Sequence, residues 1–192
     1  MKSLIAVFFF IIIAMFGRAD AQLDVKIGGG ALFDPTRGGG HLSVEFPIGD
    51  LYPTYLAPFV EYYRRTTTLA ATDMTLETEI PAGVSLVYKA PLSDRYGTVF
   101  FGVAGGVLHT RGSPIVEVLF DGTTVYAIDT ATGEVVTETS TEALISVAGG
   151  MRFDVSEGIG AFVQGRWFRA FASGTTNNFG IHAGLMFSLG ER

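Results

Sequence analysis

The residues of this chain whose types and spacing could do chemistry lie in one short stretch, His41-Leu42-Ser43-Val44-Glu45. An imidazole, a hydroxyl and a carboxylate are the parts of nucleophilic catalysis: a base takes the hydroxyl proton and an acid orients the base. Residues two apart in a strand share a face, so His41, Ser43 and Glu45 point the same way. The same geometry sets neighbours about 6.6 Å apart along the strand, long for a direct His41 to Ser43 hydrogen bond unless the rotamers converge. The plainer reading is that all three are inward polar residues joined to Arg or Lys on neighbouring strands.

Other chemical signals are weaker. His109 and His182 lie far apart in the chain with no metal-ligand spacing around them, so each is expected to be a single lining or interfacial residue. The run 28–30 is all glycine, but a phosphate loop must open a helix, and Asp34-Pro35 follows after three residues. Neither a metal nor a cofactor is expected. The formal net charge of -6 argues against a nucleic-acid partner.

The element best able to position such residues is the C-terminal stretch 178–189, NFGIHAGLMFSL. Phe179, Ile181, Ala183, Leu185, Phe187 and Leu189 alternate with Gly180, His182, Gly184, Met186 and Ser188, the period of a strand. Its length exceeds the usual strand of about 5 or 6 residues and meets the roughly 9 to 11 tilted residues that cross a bilayer. It is read as the last of eight transmembrane strands.

The chain begins with Lys2, an apolar run over 4–16 and the small-residue sequence Ala19-Asp20-Ala21. This is the layout of a secretory signal peptide. Residues 1–21 are therefore expected to be removed, leaving a barrel domain of 22–192. The apolar run is too short for a helical span, which needs about 20 residues. The absence of cysteine weakens the case for a small disulfide-held secreted fold.

Seven further strands are expected, at 23–33, 40–46, 55–67, 80–90, 98–110, 144–154 and 159–171, with a polar loop at 69–79. The longest loop, 111–141, holds 115–120 and 123–128 around Asp121-Gly122, a strong hairpin signal. Connections after the second, fourth and sixth strands are short, while those after the others include the two longest. Outer-membrane barrels show this asymmetry between periplasmic turns and outside loops. The fold class is thus all-β, an eight-stranded antiparallel up-and-down transmembrane barrel.

Alternation alone does not say which face is wet, since a soluble exported ligand-binding barrel would exchange the two. Small residues crowd one face (Gly28, Gly83, Ser146, Gly150, Gly180, Gly184), which suits a narrow lumen. That face also carries charges of both signs. Glu45, Glu61, Arg65, Lys89, Arg152 and Arg166 are expected to form a paired network there. Tyr55, Tyr62, Tyr88, Tyr96, Trp167, Phe171 and Phe187 are expected in interfacial belts. Arg64 and Arg169 are expected to snorkel to a membrane face.

The signal peptide, the alternating strands, GVAGGV over 102–107, VAGGMRF over 147–153 and the closing GIHAGLMFSL resemble the small eight-stranded outer-membrane barrels of the OmpA-like and OmpX-like kind. The resemblance implies a monomeric, non-enzymatic cell-envelope protein with a filled lumen and interacting outside loops. Its partners would be outer-membrane lipid, the barrel-insertion machinery and an extracellular partner at 111–141. Members commonly end on an aromatic residue that the machinery reads, whereas here Ser188 to Arg192 follow Phe187. His-x-Ser with an acid is also similar to the active strand of lipid A deacylases, which makes a lipid A acyl hydrolase using His41, Ser43 and Glu45 the alternative.

Overall fold

A computed structural model describes residues 23–33, 36–48, 53–69, 72–93, 97–112, 115–118, 124–126, 138–171 and 176–189; the side chains of 66–76, 93, 115–118, 124–126 and 176 are not described. The expected signal peptide, Tyr96 and most of the 111–141 loop lie outside the described residues. Ten strands follow in order: β1 Leu23–Phe33, β2 Arg37–Pro47, β3 Thr54–Leu69, β4 Thr72–Ser93, β5 Gly97–Gly112, β6 Ile115–Val118, β7 Thr124–Tyr126, β8 Glu138–Ser156, β9 Ile159–Phe171 and β10 Thr176–Leu189. Eight of them close a barrel in which each strand pairs with its neighbours in sequence and β10 returns to β1, all antiparallel. The hairpin expected in the long loop is the separate two-stranded sheet β6-β7. Among the described residues no helix is long and apolar enough to cross a membrane.

The alternation predicted for each strand is the alternation of its burial. On β10, Ile181 and Leu185 are exposed while His182 and Met186 are buried, and on β4, Leu86 and Tyr88 are exposed while Ser85 and Lys89 are buried. The apolar residues therefore face outward and the polar ones inward, the reverse of a soluble core. One boundary differs. The stretch 69–79 expected as a loop lies mostly in β4, which starts at Thr72 and pairs with the last residues of β3 beyond a bulge at Arg65/Thr66. A strand running past the apolar zone has no need of an apolar face, so its polar composition reads as loop.

The belt is also not as expected throughout. Tyr62, Tyr88 and Phe171 are exposed, and Phe187 and Trp167 are half-buried on outward positions. Tyr55 instead takes an inward position, with the Lys89 ammonium 3.8 Å over its ring. It shares the parity of the buried Ala57, Phe59 and Glu61, and parity outranks nearness to a strand end.

At two places inward glycines face each other where neighbouring backbone comes close. Gly28 pairs with Gly184 across the β1-β10 seam, and Gly83 with Gly106 between β4 and β5. A methyl group on Gly184 would run into the Ile27 carbonyl oxygen and Gly28 Cα, both backbone, whereas one on outward Gly105 would meet open space. Such pairs act as corners of the barrel. Gly184→Ala should thus cost about 1 to 3 kcal/mol, the usual cost of overpacking, and Gly105→Ala should be neutral or slightly stabilising. Urea titration in lipid vesicles reads both, and equal stabilities would mean that the corners are not tight. In the same assay Leu185→Arg, at an outward position that is 50% exposed, should cost about 2 to 4 kcal/mol if that position meets mid-bilayer lipid, with Leu185→Phe nearly silent.

Candidate functional site: the lumen network

Strand β2 presents its inward polar residues in order along the barrel, Arg37, His41, Ser43 and Glu45, all buried. They belong to three groups, His41 and Ser43 sharing one. At one end Glu45 pairs with Lys26 and, at 2.7 Å, with Lys89, whose ammonium also reaches Asp24 at 2.6 Å. Arg152 lies 3.3 Å from Asp24 and 2.8 Å from Asp154, and donates through Nη2 to the Ser188 hydroxyl, which donates in turn to Asp24. Three cations thus face three carboxylates. The Lys26 ammonium lies 3.7 Å over the Phe100 ring, a cation–π contact of the kind Lys89 makes with Tyr55.

The middle group contains the catalytic candidate, rearranged. His41 Nδ1 lies 3.0 Å from Glu61 Oε1 and Nε2 lies 3.1 Å from Ser43 Oγ, so the rotamers do converge across the expected separation. The acid beside the imidazole is Glu61, because β2-β3 register sets His41 directly opposite it. Glu45 stands with the lysines of the first group and takes no part. With Nδ1 donating to Glu61, Nε2 accepts the Ser43 hydroxyl, the order acid, base, hydroxyl. Arg166 Nε, 3.0 Å from Glu61 Oε1, supplies the countercharge, with its guanidinium 4.1 Å over the Phe59 ring. The Tyr63 hydroxyl donates to Glu61 at 2.8 Å and also contacts His182 Nε2.

His182 is therefore not an isolated lining residue; it is fully buried and joins this cluster through Tyr63 from a position 119 residues away. His109 sits on the outward face of β5 with Nδ1 2.9 Å from Thr141 Oγ1. Among the described residues no cluster of ligands could hold a metal ion.

The third group went unnoticed in the sequence. Arg37 contacts Glu77 at 2.7 Å and Glu79 at 3.2 Å, two acids in the stretch read as loop. Continuing the β4 alternation backward from Lys89 and Ser85 through Gly83 puts Glu79 and Glu77 inward, which is the signal that could have found them. Arg65, expected in the network, is exposed near the bulge. An apolar cluster of Leu32, Phe59, Tyr63, Leu108, Leu144, Phe168 and Ala170 packs inside the barrel as well. The space between the first two groups is a cavity of about 20 Å³ lined by Lys26, Ser43, Glu45, Gln164 and Arg166 among others, room for about one water molecule. Ser43 opens onto that cavity.

Arg152→Met should be tolerated better than Arg152→Glu. With Met, Asp24 keeps Lys89 and Ser188 as partners; with Glu, a further carboxylate enters beside Asp24 and Asp154, at about the 3 to 5 kcal/mol of an uncompensated buried charge. Urea titration decides, and two variants of equal stability would show that Arg152 is not coupled to its acids.

A scan against protein-family models and a search of curated proteins returned no match. Solved structures do match. Neisserial surface protein A is 11% identical with a TM-score of 0.59, covering 88% of this chain and 97% of that one. The N-terminal β-barrel domain of Pseudomonas aeruginosa OprF is 12% identical at a TM-score of 0.55, over 90% and 100%. The outer membrane protein OprG of the same organism is 10% identical at 0.54, over 90% and 98%. At such identities the likeness is one of fold, and with the closed barrel and its outward apolar face it gives the chain the fold of the small eight-stranded outer-membrane β-barrels.

Proposed function

We propose that the protein is an outer-membrane barrel with a filled lumen, anchored by its lipid-facing side chains and acting through the loop end of its strands. The observation that carries this is the sorting of side chains: ion pairs and hydrogen bonds fill the interior, while large apolar residues such as Ile27, Leu86, Phe101, Ile145 and Leu185 are exposed on the outside. A soluble chain would bury those residues; a bilayer rewards their exposure. Export through a signal peptide cleaved after Ala21, insertion by the barrel machinery and a monomeric state complete the reading. The loop 111–141, with its β6-β7 hairpin, is the part that meets an extracellular partner.

A second reading, an acyl hydrolase, has the hydrogen-bond chain Glu61, His41, Ser43 behind it. Against it stands the surrounding of Ser43: a hydroxyl facing a one-water cavity inside a barrel has no acyl chain within reach. Ser43→Ala should accordingly leave the acylation pattern of outer-membrane lipid unchanged.

The lumen of an eight-stranded barrel is just wide enough for side chains to fill. The protein should fractionate with the outer membrane, migrate differently on a gel in detergent before and after heating, and give no large stable conductance steps in a planar bilayer. Release as a soluble periplasmic protein would end the membrane reading; large steps would end the filled-lumen reading.

A further inference from the structure

The barrel sorts charge by face as well as polarity. Among strand residues whose side chains are described, the carboxylates Asp24, Glu45, Glu61, Glu77, Glu79, Glu138, Glu142 and Asp154 all occupy inward positions of the alternation, whereas the outward charged residues are Arg64 on β3, Arg111 on β5 and Arg169 on β9. All three arginines are exposed and lie toward the loop end of their strands. A solvated surface in a chain of net charge -6 would mix signs there.

The register makes two of them a unit. Gly38 stands opposite Arg64, Arg64 opposite Thr78, Thr78 opposite Arg111 and Arg111 opposite Thr139, so one outward row crosses five strands. Neighbouring strands are about 4.8 Å apart, which places the Arg64 and Arg111 backbones roughly 10 Å apart on either side of the Thr78 hydroxyl. Two guanidiniums on stems of that length can close on one phosphate or on two adjacent ones, and the guanidinium fork matches phosphate oxygens. A side chain on Gly38 would meet nothing within 4 Å, so the row is open at that end.

The rows beneath it set its depth. One pleat toward the barrel middle the outward residues are Gly40, Tyr62, Ile80, His109 and Thr141, and one pleat further they are Leu42, Val60, Ala82, Val107 and Ala143. The surface passes from aliphatic to aromatic and imidazole to guanidinium and hydroxyl over about 13 Å, two steps of the strand repeat. That is the order of a leaflet read outward: hydrocarbon, interface, headgroup.

Building on the membrane reading above, we propose that the row Arg64, Thr78, Arg111 and Thr139 is a docking surface for the phosphate headgroups of an anionic lipid in the leaflet on the loop side. Arg64 and Arg111 bind the phosphate and the two threonines donate hydroxyls to its oxygens. Arg169 extends the same basic rim on the far side of β8.

The test is titration of the whole protein, folded in an uncharged detergent, with lipid A and with dephosphorylated lipid A, read by native mass spectrometry. Lipid A should bind, the dephosphorylated form should bind weakly, and added salt should weaken lipid A binding to the wild type. Arg64→Gln with Arg111→Gln should lower the affinity about thirtyfold, the scale set by two basic residues at a charged lipid surface. Arg65→Gln, on the other face of β3, should leave it unchanged. Equal binding of both lipids, insensitivity to salt, an unaffected double variant, an equal loss in Arg65→Gln, or displacement of lipid A by inorganic phosphate at similar concentration would each overturn the proposal. Heat-modifiable migration reports folding separately. A folded barrel that ignores lipid A removes the docking surface alone, and a chain that never enters membranes removes the reading beneath it. The salt titration needs no variant, so it decides even if the double substitution does not fold.

Discussion

An open sheet leaves hydrogen-bonding groups unpaired along its edges, and the rest of this structure depends on the seam that removes them. Strand β1 meets β10 over its whole length, from Leu23 opposite Leu189 to Phe33 opposite Phe179. That seam joins the first and last barrel strands, so no smaller part of the sheet can close. It also explains the placement of glycine: Gly28 and Gly184 face each other in it, where the curvature of a small barrel brings backbone so close that even a methyl group has no room.

Closure with eight strands leaves a narrow interior, and the polar residues facing it must find partners within a side chain's length. The answer here is pairing of each charge with an opposite one. Asp24, Glu45 and Asp154 meet Lys26, Lys89 and Arg152; Glu61 meets Arg166; Arg37 meets Glu77 and Glu79. Several of the cations also rest on aromatic faces, so desolvation of the charge is offset twice. In such a setting an acid beside an imidazole beside a hydroxyl is more easily explained as satisfied interior polarity than as an activated nucleophile, because substrate access is the part of catalysis that hydrogen-bond geometry does not supply.

How far the site was legible follows from which rule governs each residue. Inward or outward placement depends on parity alone, and parity is written in the alternation: Ser43, Lys89, Gln164 and His182 point inward, Val84, Val163 and Leu185 outward, as their neighbours imply. Residues 72–79 read as loop because a strand without an apolar face lacks half of the pattern, which hides Glu77 and Glu79. Arg65 kept the inward parity and yet stayed out of the network, since a bulge begins beside it. A bulge of that kind leaves no mark in polar sequence.

The sequence by itself determined the strand period, which residues share a face and the number of barrel strands, because these follow from side-chain hydrophobicity at a spacing of two, and the small residues and mixed charges gathered on one face marked it as the inner one. Only the tertiary structure decided which inward groups meet. His41 takes Glu61 and not Glu45 as its acid because cross-strand neighbours are closer than residues four apart on one strand. A hairpin folded symmetrically about its turn could have suggested that pair. The contact between Tyr63 and His182 could not be anticipated, for it spans the lumen between strands that closure alone brings face to face.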